Sequence, residues 1–221
     1  MSNRILIAIS LFFLLTTITS QQKLILTNFN LKKINIENNF LLKEADLKNQ
    51  LNQFYGKNLI FLKNIEVEKA LLKNSFIESF TLRKEYPNTL KIKIFEKKPL
   101  AILINKKKKF YLSEKVDLIK FQNFKNYEKL PLVLGNQEEF RVLYDNLKEI
   151  SFPINHIKNF TLYESNRWDL ETVDQIIIKL PPKNYIKSLG NFLTIKGNEN
   201  FKKYKIFDYR IKDQLILKKI M

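Results

Sequence analysis

Between Ile5 and Ser20 the chain carries no charge and is mostly apolar, and no second run of that kind follows. An apolar segment of this length cannot remain in water, so the sequence predicts a folded body tied to a membrane by one N-terminal helix. Residues 1–4 would be a cytoplasmic stub and residues 5–22 the anchor. The 16 residues from Ile5 to Ser20 rise roughly 24 Å as a helix, against a hydrocarbon core of about 30 Å. Snorkelling by Arg4 and headgroup-depth placement of Gln21, Gln22 and Lys23 close the gap. A cleaved signal peptide is the main competing reading, and a buried core helix a lesser one. The signal peptide needs small residues before the cut, and cleavage after Ser20 would put Ile18 three residues back. A retained anchor is therefore expected, and on either reading the bulk of the chain leaves the cytosol.

The length of 221 residues leaves room for one large or two small domains, and a hydrophobic content of 45% excludes wholesale disorder. There is no cysteine, so an exported chain of this kind uses no disulfide and offers no thiolate to zinc or haem. The net charge of +17 invites a nucleic-acid reading. Residue type opposes it: of 39 basic residues only five are Arg, leaving 34 Lys, and Arg is what gives bidentate base and phosphate recognition. The lysines accompany many Asn and Ile, the bias that an AT-rich genome produces, and no specific nucleic acid is expected. Attraction to anionic headgroups or to an acidic partner remains. The run Lys106 to Lys109 reads as a hairpin tip.

Constellations that could carry catalysis are scarce. His156 is the only histidine, and it lies beside Pro153 with no motif around it. Four glycines, Gly56, Gly135, Gly190 and Gly197, make no phosphate-cradling loop. The neighbours Glu138 and Glu139 point different ways on a helix, which suits no acid–base pair. No enzyme, cofactor or metal site is expected. Glu96 reads as a solvated linker charge, and Trp168, the single tryptophan, as a core residue or else a partner-facing anchor.

Past the apolar run the periodicities change from element to element. Leu31 to Glu37 reads as a strand. Leu47, Leu51 and Phe54 recur on one helical face that Gly56 ends, and Asn64 can cap a second helix with Val67, Ala70 and Leu71 inside. Phe76 to Lys84 and the clean alternation from Leu90 to Phe95 flank a turn at Tyr86-Pro87-Asn88. Two helices would then cover one face of a three-stranded sheet. Beyond Pro99 the pattern becomes strand-rich: 100–104, 110–112, 116–121, 157–163, 168–170, 175–180, 203–211 and 215–217 are expected strands. Helices are expected over 138–150 and from about Tyr185 to Ile195, after the break at Pro181-Pro182.

The order strand-helix-helix-strand-strand, the stretch GKNLIFL and the closing LRKEYPNTLKIKIFEKKPLAIL together resemble the polypeptide-transport-associated (POTRA) domain of the FtsQ/DivIB cell-division family. The residues that carry the likeness are Arg83, Pro87, Thr89, Leu90, Ile92, Ile94, Glu96, Pro99 and Ala101. It continues through Leu130 to Gly135, Arg167-Trp168-Asp169-Leu170, Ile178 to Pro181 and IFDYRIKDQLILK. The fold it implies is α+β: an N-terminal single transmembrane helix, a POTRA domain at 29–97 and, at 98–221, a strand-rich α/β second domain with an open C-terminal edge strand.

The function the resemblance implies is a membrane-anchored divisome assembly protein of the inner membrane, placed at the septum and joining early to late division components. Its partners would be FtsB-like and FtsL-like proteins, with further divisome proteins recruited through the POTRA domain. The implied mechanism is strand addition to the edge within Phe207 to Leu217. Arg210 would pair with a partner carboxylate, and Ile211, Asp213, Gln214, Leu215, Ile216 and Leu217 would line the contact, with Trp168 as a secondary one. Asp208 would keep a local-structure role, and Tyr209 stands where the family usually has Leu. The alternative is a POTRA-containing outer-membrane assembly or secretion component, which would usually carry several such units or a barrel.

Overall fold

The computed structural model describes residues 3–16 and 28–219. The chain divides into two compact units, 1–96 and 97–221. The apolar N-terminus forms helix α1 (Asn3–Thr16), 14 residues and thus about 21 Å long. Among the described residues no helix is long and apolar enough to cross a membrane, and the rest of the expected 5–22 span lies outside them.

In the first unit, β1 (Lys33–Glu37), α2 (Glu44–Gln50), α3 (Asn64–Leu71), β2 (Ile77–Glu85) and β3 (Thr89–Glu96) follow in the expected order. The strands form one sheet in the order β1-β3-β2, with β1 parallel and β2 antiparallel to β3. Alternation decides the faces: Ile34, Ile36, Leu90, Ile92 and Ile94 are buried against Leu47, Leu51, Phe54, Val67, Ala70 and Leu71. The other face carries Lys33, Asn35, Lys91 and Lys93. The helix that was to run to Gly56 gives way to a 3-10 turn at Asn52–Phe54, yet Phe54 stays buried, and Gly56 takes φ +79°. Asn64 caps nothing; Lys63 holds the cap position, without a side-chain bond.

Glu96 is no solvated linker charge. Its carboxylate accepts the backbone N–H groups of Phe40 (3.1 Å), Leu41 (2.8 Å) and Leu42 (3.0 Å), so it fastens the β1–α2 loop to the end of β3.

The second unit is built on a nine-stranded sheet: β4 (Pro99–Asn105), β5 (Lys108–Ser113), β6 (Leu118–Lys120), β7 (Leu132–Leu134), β8 (Ile157–Leu162), β9 (Trp168–Thr172), β10 (Ile177–Lys179), β11 (Ile206–Asp208) and β12 (Ile216–Lys218). The spatial order is β12-β11-β10-β9-β8-β7-β4-β5-β6. One register row, Leu103, Val133, Phe160, Leu170, Ile178, Phe207 and Leu217, crosses seven strands on a single face. Helices α4 (Gln137–Glu149) and α5 (Tyr185–Lys196) complete that core with Phe140, Leu143, Tyr144, Leu147, Leu189 and Phe192. Lys106 and Lys107, at φ 46° and 68°, form the β4–β5 hairpin tip.

Several strands are shorter than expected: β1 starts at Lys33 instead of Leu31, β8 ends at Leu162, β10 keeps only 177–179 of 175–180, and two others shrink further. The stretch 116–121 yields only β6, because Val116 turns at φ 58° and its carbonyl accepts from Gln137 Nε2 (2.7 Å) and Arg141 Nη2 (3.1 Å). The stretch 203–211 yields only β11: a 3-10 turn at Glu199–Phe201 delays its start, and Asp208 ends it by bonding to Arg210.

Candidate partner-binding edge

Of the two edge strands of the large sheet, β12 is the last strand among the described residues. It pairs antiparallel with β11 through Ile206↔Lys218, Phe207↔Leu217 and Asp208↔Ile216, and among the described residues it has a strand neighbour on that side only. Because the side-chain period is two, its residues divide between the faces. Leu217 packs against the core together with Leu215, whereas Ile216 is 37% exposed on the face away from the helices. Leu215 and Leu217, expected as partner contacts, therefore serve the chain's own core. The outward apolar groups are Ile216 and Ile211.

Between β11 and β12 the loop is fixed at both ends and open in the middle. Tyr209 is buried: its N–H donates to the Lys179 carbonyl (2.9 Å) and its hydroxyl meets Asn191 Oδ1 on α5 (2.9 Å). Burial pushes that phenol up to about 12. Arg210 turns back on the buried Asp208, with Nε 2.8 Å from Oδ1 and Nη2 2.6 Å from Oδ2, while the Arg210 N–H donates to Oδ1 at 3.1 Å. These bonds hold the Asp208 carboxyl below the usual carboxylate range. Arg210 is thus no unpaired anchor. Its side chain is still 41% exposed and retains N–H groups for a second carboxylate. Ile211, Lys212, Asp213 and Gln214 are all exposed.

The face that carries Ile216 is polar. Across β8 to β12 one register row reads Thr161, Asp169, Lys179, Asp208, Ile216. Asp169 is 7% exposed, and burial pushes its carboxyl up. Arg167 Nε lies 3.7 Å from Asp169 Oδ1, too far for a hydrogen bond, and its guanidinium stacks 4.2 Å from the Tyr163 ring centroid. Two grooves flank the loop. One, of about 330 Å³, is lined by Ser165, Arg167, Pro182, Asp208, Arg210, Ile211 and Ile216. The other, of about 660 Å³, runs between the loop and Asn184, Lys187, Ser188 and Asn191 of the α5 region.

Trp168 is not partner-facing. It is 3% exposed, edge-on to Phe140 and close to Gly135, and it alternates with the outward Asp169. Sequence reasoning missed Ser165 and the α5 residues Lys187 and Asn191, which reach the grooves only through strand order and helix packing. The one local signal was the polar Asp169 between the core residues Trp168 and Leu170.

Residues 29–97 match the family described as POTRA domain, FtsQ-type. The cell division protein FtsQ of Rickettsia conorii (strain ATCC VR-613 / Malish 7) is 28% identical over 198 residues, covering 86% of this chain and 73% of its own length. That of Rhizobium meliloti (strain 1021) is 22% identical over 164 residues, 73% of this chain and 53% of its own. The major extracytoplasmic domain of the cell division protein DivIB from Geobacillus stearothermophilus covers 49% of this chain and 98% of its own, at 15% identity and a TM-score of 0.35. Residues 29–97 thus form an FtsQ-type POTRA domain, and across both units the chain is similar to the bacterial cell division protein FtsQ.

Proposed function

We propose that this divisome protein is held to the inner membrane by its N-terminal segment, with both units periplasmic. There it receives an FtsB/FtsL-like complex by strand addition along β12 and so links early to late division components. Similarity to the cell division protein FtsQ supports the role in cell division. The observation that supports the binding mode is the position of β12 at the sheet margin, beside an exposed loop and an arginine whose remaining N–H groups face a groove. An added strand would gain backbone hydrogen bonds from that margin and side-chain selectivity from Ile211, Ile216 and Arg210. The paired state of Arg210 shapes this: a partner carboxylate would join an existing Asp208–Arg210 pair, at little ordering cost because the guanidinium is already placed.

Two measurements test the reading. Leu215→Pro removes a backbone N–H just before β12 and should abolish co-purification with FtsB-like and FtsL-like partners; because it also removes a core contact of Leu215, circular dichroism and thermal melting must show that the variant stays folded. In the wild-type complex, the amides of Ile216 to Lys218 should gain protection from hydrogen exchange. A folded Leu215→Pro protein that still binds, or β12 amides no slower in the complex, would rule out strand addition here. Arg210→Glu is a poor probe, since it sets two carboxylates side by side at Asp208.

A further inference from the structure

The three-stranded sheet of the first unit has two distinct ends. The chain arrives from its N-terminus at Phe29 to Lys32, where Leu31 N–H donates to the Lys57 carbonyl (2.8 Å), Lys32 N–H to the Asn88 carbonyl (2.9 Å) and Leu59 N–H to the Phe29 carbonyl (2.8 Å). It leaves at Glu96, at the far end of β3, about 23 Å away for eight residues of strand. The end of arrival is unusually apolar for a water-facing surface. Ile60 is 42% exposed, Phe61 70% and Tyr86 56%, with the Phe29 ring edge-on to Tyr86 at 5.9 Å. Leu59 and Leu62 are buried on either side of Ile60 and Phe61, which pins the pair outward. Lys84 Nζ holds the loop from the sheet by donating to the Leu62 carbonyl at 2.6 Å.

Lys32, Lys33, Lys57 and Lys63 are exposed around this cluster. Its acidic neighbours are fewer: Glu66, which pairs with Lys57 at 3.5 Å, and Glu85. Aromatic and aliphatic side chains within a ring of lysines are the composition of a surface that settles at a headgroup boundary. Chain length fits the same occupant. Only residues 17 to 28, twelve in all, separate α1 from Phe29, so the cluster lies within about 40 Å of the end of that helix.

We propose that this end of the FtsQ-type domain rests on an anionic lipid surface, with Phe61 and Ile60 entering the headgroup layer and the lysines meeting lipid phosphates. The proposal rests on the reading of the N-terminal segment as a membrane anchor. It would orient the first unit with β3 pointing away from the bilayer.

The test uses the full-length chain carrying Phe61→Trp, reconstituted into vesicles of phosphatidylglycerol and phosphatidylcholine with brominated acyl chains. Phe40→Trp, at the opposite end of the sheet and replacing a residue that is 83% exposed, is the control, and the buried Trp168 is a constant background. Emission from Trp at position 61 should fall by about half relative to unbrominated vesicles, as for a side chain some 5 to 10 Å into the boundary. The control should not change, and the effect should shrink in vesicles of phosphatidylcholine alone. If the chain fails to float with the vesicles, the anchor falls and the lipid contact with it. If it floats but position 61 is quenched no more than position 40, the contact alone is refuted. Equal quenching in neutral vesicles overturns the anionic selectivity.

Discussion

Replacing Glu96 by alanine should destabilise the first unit far more than any ordinary surface change. The side chain accepts three backbone N–H groups, two of them from the part-buried Leu41 and Leu42. A hydrogen bond to a charged acceptor contributes about 1.5–3 kcal/mol. The exposed Phe40 N–H finds water when the carboxylate is lost, so the two sheltered donors dominate and Glu96→Ala should cost about 3–5 kcal/mol. That is comparable with the whole stability of a small domain, about 5 kcal/mol at the low end. Glu96→Gln keeps one carbonyl oxygen for the Phe40 and Leu42 donors and should cost roughly half as much. Urea unfolding of the complete chain separates the units, because Trp168 reports only on the second unit whereas far-ultraviolet dichroism reports on both. With a slope of about 1–2 kcal/mol per molar, the dichroism of Glu96→Ala should gain an early transition displaced by roughly 2 M or more, and the fluorescence midpoint should stay in place. An unmoved dichroism curve would refute the clamp. A fluorescence midpoint that shifts with it would refute independent folding of residues 29–97 and 98–221.

Other perturbations reach the second unit. A Cβ on Gly135 would stand 2.9 Å from Leu162 Cβ and 3.4 Å from the Trp168 ring, so Gly135→Ala should cost about 1–3 kcal/mol in thermal unfolding and alter Trp168 fluorescence. The carboxylates behind the edge should respond to pH in opposite directions. Asp208 is depressed by Arg210, so its stabilisation is full above the unfolded value near 3.9 and is lost as pH falls through its lower folded value; Asp208→Asn should lower the midpoint at pH 7 and change little at the acid end. Asp169 is raised by burial, so its penalty develops as pH rises from about 3.9 through the folded value; Asp169→Asn should raise the midpoint at pH 7 and not below pH 4. Melts of the two variants from pH 3 to 7 decide both signs.

The first unit was legible because its signals are local. Leu90, Ile92 and Ile94 alternate cleanly, and Leu47, Leu51 and Phe54 hold a helical face even where the helix tightens to a 3-10 turn. What failed there was side-chain capping at Asn64 and the role of Glu96, whose partners lie more than fifty residues back. In the second unit most strands and both helices were legible, but their order was not. β4 pairs with β7 and β10 with β11 in parallel, and each pairing depends on a helix or loop crossing the sheet. The facing of Leu215 and Leu217 was missed for a related reason: a three-residue strand is too short for alternation to show which side is buried until its partner Phe207 is known.

A short edge strand that ends in lysine is also a guarded one. β12 has three paired residues, Lys218 is its last and Lys219 follows, so another copy of the chain would have to bring like charge against like charge to pair with it. On the proposed reading the same lysines, with Lys212 and the remaining N–H groups of Arg210, favour an incoming strand that carries carboxylates. The acidic groups beside the edge do not cancel this attraction. Asp208 is already occupied by Arg210 and Asp169 lies buried near Arg167, which leaves Asp213 as the exposed carboxylate of the loop. Selectivity for an acidic partner and resistance to self-pairing would then come from one charge pattern, and both would weaken with salt.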